Sequence, residues 1–280
     1  MINGQIFHRY FFRLHKVSKI RIENIHYELE NQLLIRIMNH TFAINIFNTF
    51  KMSKGLSNSS IGRKLMMAMS GFFLLVFLLQ HFTINFISII SEEVFNEVSH
   101  FMGTNFLVQF VLQPVLIFGV VFHLSMGMYL DSKNNSARPV KYEMESANNN
   151  SSWISRNMLV TGVMIMLFLA LHFYDFWIPE IKIKYIDGDM SGLHDGKFRY
   201  WHELNHKFHD IYRVAIYCVA FVFLSLHLMH GFQSSFQTAG INHSKYTPII
   251  KFCGYIYAVV IPAGFILIAI YHHTSCVTLF

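Results

Sequence analysis

The sequence predicts an all-α, polytopic membrane protein of five spanning helices. Three observations predict it. Only 14% of the 280 residues are charged and 53% are hydrophobic, whereas soluble domains carry about 25% charged residues. Five separate stretches are apolar over the ~20 residues that a helix needs to cross a bilayer at about 1.5 Å per residue. Lys and Arg also collect in alternate short loops between those stretches, as the positive-inside rule requires of a multi-pass chain.

Residues 1–51 differ from the rest. They are basic, lack a helical apolar stripe and hold no run long enough to span. Met52 opens "MSKGLSNSSIGRKLMMAMSGFF", which reads as a natural start leading into a membrane helix. Residues 1–51 are expected to be either an upstream extension outside the mature protein or a disordered cytoplasmic tail. Residues 52–280 are expected to form the membrane domain.

The first apolar segment covers about 65–90 and the second about 106–130; neither contains Asp, Glu, Lys or Arg. The third, about 155–178, has an uncharged centre from 157 to 174. The fourth covers about 211–236 and the fifth about 249–272. Lys51, Lys54, Arg63 and Lys64 precede the first segment. The loop 91–105 carries Glu92, Glu93 and Glu97 and no basic residue. Lys133, Arg138, Lys141 and Arg156 follow the second segment, and Lys245 and Lys251 follow the fourth. The expected orientation is N-terminus inside, C-terminus outside. The loop 179–210 is mixed in charge and includes Lys182, Lys184, Lys197, Arg199 and Lys207, so it departs from the rule. Trp177, Tyr200, Trp201 and Tyr212 are expected near the outer interface.

The net charge of +6 lies mainly in the N-terminal fifty residues and the inner loops, so it is not a nucleic-acid footprint. Cys218, Cys253 and Cys276 form neither a disulfide framework nor a zinc site, and no Cys-x-x-Cys-His occurs for a c-type haem.

The chemistry lies in four histidines, one in each of the first four segments: His81, His123, His172 and His227. A histidine in lipid is costly and functional by default. His81 and His172 fall in the outer half by counting along their helices; His123 and His227 fall in the inner half. The natural pairs are therefore His81 with His172 and His123 with His227. Neighbouring residues repeat in the same pairs: "QHF" and "LHF" outside, "HLSMG" and "HLMHG" inside. Gly127 and Gly231, each four residues after an inner His, share its helix face and are expected to leave room for a flat macrocycle. Two imidazoles per iron fill both axial positions, which suits electron transfer rather than chemistry at the metal. Two haems of b type are expected, roughly 10–15 Å apart in height by helical rise. His230 could replace His227 as ligand, although the repeated His-x-x-x-Gly spacing favours His227.

Weaker signals surround these. Ser70, eleven residues before His81, lies on nearly the same face and is expected beside the inner haem. Asn85 follows His81 by four. Gln80, Gln109 and Gln113 are candidate quinone or propionate partners. So are Arg63, Lys64, Arg156, Arg213 and Lys251, for each of which interfacial snorkelling is the plainer account. Pro114 and Pro262 are candidate kinks.

From Met52 to Tyr271 the chain resembles the dihaem, five-helix cytochrome b subunit of bacterial succinate:quinone oxidoreductases, the succinate dehydrogenases and fumarate reductases. The stretches that carry the resemblance are "SSIGRKLMMAMSGFFLLVFLLQHF", "FHLSMGMYL", "LHFYDFW" and "LHLMHGFQSSFQTAGINHSKYTP" followed by "IPAGFILIAI". The resemblance implies a membrane anchor in the bacterial cytoplasmic membrane that serves the tricarboxylic acid cycle or its reverse. It implies a flavoprotein and an iron–sulfur subunit docked on the cytoplasmic side, and menaquinone or another quinone as the membrane reactant. His123 and His227 would hold the proximal haem, and His81 and His172 the distal one. Residues 1–51 have no counterpart in the family, and the loop 179–210 exceeds what it requires. Two rival readings are a cytochrome b of a hydrogenase or formate dehydrogenase, and a non-haem transporter or structural anchor.

Overall fold

The computed structural model describes residues 59–136, 157–194 and 196–278. The expectations for residues 1–51, for Met52 as a start, for Lys51, Lys54, Arg138, Lys141 and Arg156, and for the Cys276 side chain lie outside the described residues. Two compact units divide at Gly62, and all that follows concerns the second, Arg63–Phe280.

In chain order the elements are α1 (Ser60–Ile90), α2 (Glu92–Thr104), a π-turn (Val108–Leu112) leading into α3 (Gln113–Ser136), α4 (Met158–His172), a second π-turn (Phe173–Trp177), α5 (Ile178–Ile181), a third π-turn (Lys182–Ile186), a small hairpin of β1 (Leu193–His194) and β2 (Lys197–Phe198), α6 (Tyr200–Phe208), α7 (Ile211–Thr238) and α8 (Thr247–Thr278). Five of the helical runs are long and apolar enough to cross a membrane: Ser60–Ile90, Val108–Asn134, Met158–Ile186, Ile211–Thr238 and Thr247–Ser275. They are called the first to fifth spans below. Large apolar side chains such as Val76, Phe110, Phe118, Leu167, Ile216, Val222 and Phe252 stand exposed along them, as a lipid-facing surface requires.

Helix boundaries follow from local chemistry. Ser91 accepts from Val94 N at 3.3 Å and so starts α2, whose first turn carries Glu92 and Glu93 against the positive end of the helix. Asn105 ends α2 and starts the second span, its Oδ1 accepting from Leu107 N at 3.0 Å and Val108 N at 3.3 Å. Asp210 caps the fourth span by accepting from Tyr212 N at 2.9 Å. That span ends at Gly240 (φ 84), where Gly240 N donates to Gln237 O and Ile241 N to Phe236 O. A side chain at Gly240 would be strained in that conformation.

The third span corrects two sequence expectations. It does not stop near 178 but continues to Ile186, and what read as a long loop from Pro179 is largely ordered structure. The helix passes through a π-turn at 173–177 and resumes as α-helix at Ile178, which places Pro179 in a first turn where its missing N–H is tolerated. In the second span a π-turn likewise precedes Pro114, which cannot donate within the helix. Pro262 is fully buried inside an uninterrupted α8.

The rest of 179–210 joins α2 to cap one end of the bundle. Arg199 pairs with Glu180 and with Glu203 (2.7 Å), and Lys184 pairs with Glu180 at 2.6 Å while donating to Gly103 O. Trp201 donates from its backbone to Asn96 Oδ1 (2.8 Å) and from Nε1 to Ser88 O (3.0 Å). Beneath the cap, Phe95, Leu204, Phe208, Tyr217, Phe221, Ile261 and Phe265 form the main buried cluster. Elsewhere the spans approach one another through phenyl rings set against glycine: Phe73 on Gly119, Phe232 on Gly254 and Phe82 on Gly264. Small residues allow such close approach where no hydrophobic driving force separates protein from lipid.

Candidate functional site: two facing histidine pairs

The four expected histidines come together in two pairs. The rings of His81 and His172 lie with centroids 5.7 Å apart and planes at 85°. Those of His123 and His227 lie 6.3 Å apart at 68°. Each pair joins two different spans, the first with the third and the second with the fourth. The combinations are those that depth counting gives.

The spacing is informative about what fits between. A metal ligated end-on by two opposed imidazoles, at about 2.0–2.1 Å per bond, sets the ring centroids about 6.2–6.4 Å apart once the ring radii are added. The inner pair matches this separation and the outer pair falls slightly short of it. Such a pair supplies two axial ligands and leaves the equatorial positions to a planar macrocycle, so both sites suit a haem.

The inner ligands are anchored through their other nitrogen. Ser70 Oγ lies 3.0 Å from His123 Nδ1, and Thr161 Oγ1 lies 3.1 Å from His227 Nδ1. Glycine follows each hydroxyl residue, and a Cβ on Gly71 would come 3.7 Å from His123 Cε1, as one on Gly162 would from His227 Cε1. Gly127 and Gly231, expected to make room beside the ligands, instead face methyl groups: a Cβ there would meet Met67 Cε at 3.5 Å and Met158 Cε at 3.3 Å. His230 is partly buried, and it is the His227 ring that faces His123.

The outer pair has a different surround. His81 stacks on Phe77 (5.4 Å, 19°) and His172 on Phe168 (5.8 Å, 28°), each a phenyl four residues earlier on the same helix. Phe265, Phe176 and Tyr217 complete the aromatic wall. Asn85 Nδ2 donates to His81 O at 2.8 Å and reaches the imidazole only at 3.5 Å. The buried Nδ1 of His172 has no hydrogen-bond partner among the described residues. A buried polar nitrogen left unpaired costs stability, so a purely structural role does not explain His172.

The remaining candidates separate clearly. Arg213 is not an interfacial snorkeller: it forms an ion pair with the buried carboxylate of Asp175, which also accepts from Tyr217 Oη at 2.9 Å. Arg63 is buried, its guanidinium 5.8 Å from the centroid of Tyr129. Lys64, Gln80 and Lys251 are exposed. Gln109 donates to Gly103 O and accepts from Tyr185 Oη at 2.7 Å. Gln109 and Gln113 border an open apolar groove of about 510 Å³ with Trp177 and Tyr185. Cys253 is exposed on α8, and Cys218 is half-buried.

Sequence reading missed Thr161, and a signal for it was present. The run Met67-x-x-Ser70-Gly71 precedes His81 as Met158-x-x-Thr161-Gly162 precedes His172, with identical spacing throughout. Both hydroxyls donate to the methionine carbonyl three residues back, at 2.8 and 2.9 Å. The helix pair of the first two spans is thus repeated in the third and fourth.

No family model matches the chain, and neither a curated protein nor a solved structure does.

Proposed function

We propose that this chain is the membrane-anchoring dihaem cytochrome b subunit of a succinate dehydrogenase or fumarate reductase. It carries electrons between an iron–sulfur subunit and membrane quinone. The observation that carries this reading is the pair of opposed imidazoles at each of two depths, at separations that fit an axially ligated iron. The choice of complex rests on the sequence resemblance from Met52 to Tyr271.

In this reading His123 and His227 hold the inner haem and His81 and His172 the outer one. Bound haem supplies a one-electron iron couple with both axial positions filled. The chain's own residues set the rest. Four helices hold the imidazoles, phenyl rings exclude water from the outer pair, and hydroxyls orient the inner pair. Quinone, menaquinone or another, is the membrane reactant, and a flavoprotein and the iron–sulfur subunit dock on the cytoplasmic face.

The N-inside, C-outside orientation in a bacterial cytoplasmic membrane rests on the Lys and Arg of the short loops. The contrary charges of 179–210 carry less weight than their number suggests. Lys184 and Arg199 are buried and neutralised by Glu180 and Glu203 within the cap, so they do not act as free cations at the interface.

The test is a dithionite-reduced minus oxidised spectrum of the purified chain with pyridine haemochrome quantitation. Two b haems per polypeptide are expected. A folded chain without haem would overturn the reading. Co-purification of a flavoprotein with succinate- or fumarate-dependent activity separates this complex from a hydrogenase or formate dehydrogenase.

A further inference from the structure

We infer that Ser70 and Thr161 are positioning residues that fix the tautomer of the two inner histidines, making Nε2 the coordinating atom of each; the haem part of this inference rests on the function proposed above.

The assignment follows from counting hydrogens. A hydroxyl has one proton to donate and lone pairs to accept with. Ser70 Oγ touches two groups, the Met67 carbonyl at 2.8 Å and His123 Nδ1 at 3.0 Å. A carbonyl only accepts. Both contacts hold a hydrogen only if the hydroxyl donates to Met67 O and accepts from Nδ1–H. Thr161 repeats the arrangement, with Met158 O at 2.9 Å and His227 Nδ1 at 3.1 Å. Each inner imidazole therefore carries its proton on Nδ1 and presents a free lone pair at Nε2.

The helix backbone enforces this. Each carbonyl lies three residues back on the same helix as its hydroxyl, so the donor direction is set before the histidine arrives from the neighbouring span. Gly71 and Gly162, beside the hydroxyls, remove the Cβ that would crowd each ring at Cε1. Outer-sphere partners of this kind orient a ligating histidine and raise its basicity, and their loss typically costs about 10- to 100-fold in metal affinity. His172 has no such partner among the described residues, so the device belongs to the inner site.

Two measurements test it. In the haem-free full chain, purified in detergent and labelled with 15N-histidine, ring nitrogen shifts report the tautomer directly. His123→Gln and His227→Gln assign the signals. Nδ1–H is expected at both positions, with a mixed tautomer at His123 in Ser70→Ala and at His227 in Thr161→Val. An Nε2–H tautomer at either ring of the unsubstituted chain would overturn the inference, whether or not the chain binds haem.

The second measurement is haemin titration and redox potentiometry of the same variants. Ser70→Ala and Thr161→Val should weaken inner-haem binding about 10- to 100-fold and raise that haem's midpoint, leaving the outer haem unchanged. Ser70→Thr and Thr161→Ser should restore both properties. Unaltered affinity and midpoint in both hydroxyl-free variants would refute the positioning role. Failure of the unsubstituted chain to bind haem would remove the proposed function but leave the tautomer result standing.

Discussion

Tyr217 Oη donates to Asp175 Oδ2 at 2.9 Å, and Arg213 of the same helix holds the other oxygen of that carboxylate. Asp175 is 1% exposed. A lone charge at such a position is very costly, and pairing it with both a cation and a phenol makes it tolerable. Removing one partner from a buried ion pair costs about 3–5 kcal/mol because the other is left uncompensated. Asp175→Ala should therefore lower stability by about that amount. Asp175→Asn keeps an acceptor for Tyr217 and should cost less, about 1–3 kcal/mol. Thermal unfolding of the detergent-solubilised protein checks the order: equal midpoints for the two variants would show that the ion pair adds nothing.

Asp175 also shows where sequence reading stops. It sits three residues after His172 in the run "LHFYDFW", and nothing in apolar periodicity separates a buried carboxylate there from one at the membrane surface. The π-turn at 173–177 inserts an extra residue per turn and so changes which side chains face inward. A count at 3.6 residues per turn cannot register that change. The five spans and the pairing of four histidines were legible because each depends on one long regular period. The capping region was not: α2, the hairpin and α6 are short, and polar contacts between residues about a hundred positions apart, such as Trp201 N to Asn96 Oδ1, hold them. Thr161 was overlooked because a threonine in an apolar run reads as neutral until the repeat with Ser70 is aligned.

Phe82 against Gly264 joins the first span to the fifth with no room for a Cβ. Gly264→Ala should cost about 1–3 kcal/mol through overpacking. Phe82→Leu makes space but loses ring contacts, so it too should destabilise. Their effects should not add: the double variant should be more stable than the sum of the two by about 0.5–3 kcal/mol, the usual range for touching residues. Additive losses in a double-mutant cycle would mean that the helices separate rather than repack.

Tyr200 lies in the cap, outside the spans, where burial first and then the Glu180 carboxylate push its phenol up to about 12. The folded protein thus favours the neutral phenol more than the unfolded chain does. The resulting stabilisation is fully present below pH 10 and is lost as pH rises from about 10 through 12. Unfolding midpoints of the native chain should fall faster over that window than those of Tyr200→Phe, which cannot ionise. Parallel curves would show that Tyr200 ionises alike in both states. No effect is expected near neutral pH from this group.

The two histidine pairs predict a selective loss of cofactor. If each haem needs both imidazoles of its pair, His81→Ala and His172→Ala should each remove the outer haem and leave the inner one. His123→Ala and His227→Ala should do the reverse. His230→Ala should retain two haems, because the His227 ring is the one opposite His123 at 6.3 Å. Pyridine haemochrome yields of one haem per chain in the first four variants and two in the last are the expected pattern. The single-haem spectra should fall into two classes, alike within a pair and different between pairs, because phenyl rings surround the outer ligands while hydroxyls hold the inner ones. Retention of both haems by His81→Ala would break the outer pair, and loss of a haem in His230→Ala would move the inner ligand by one helical turn.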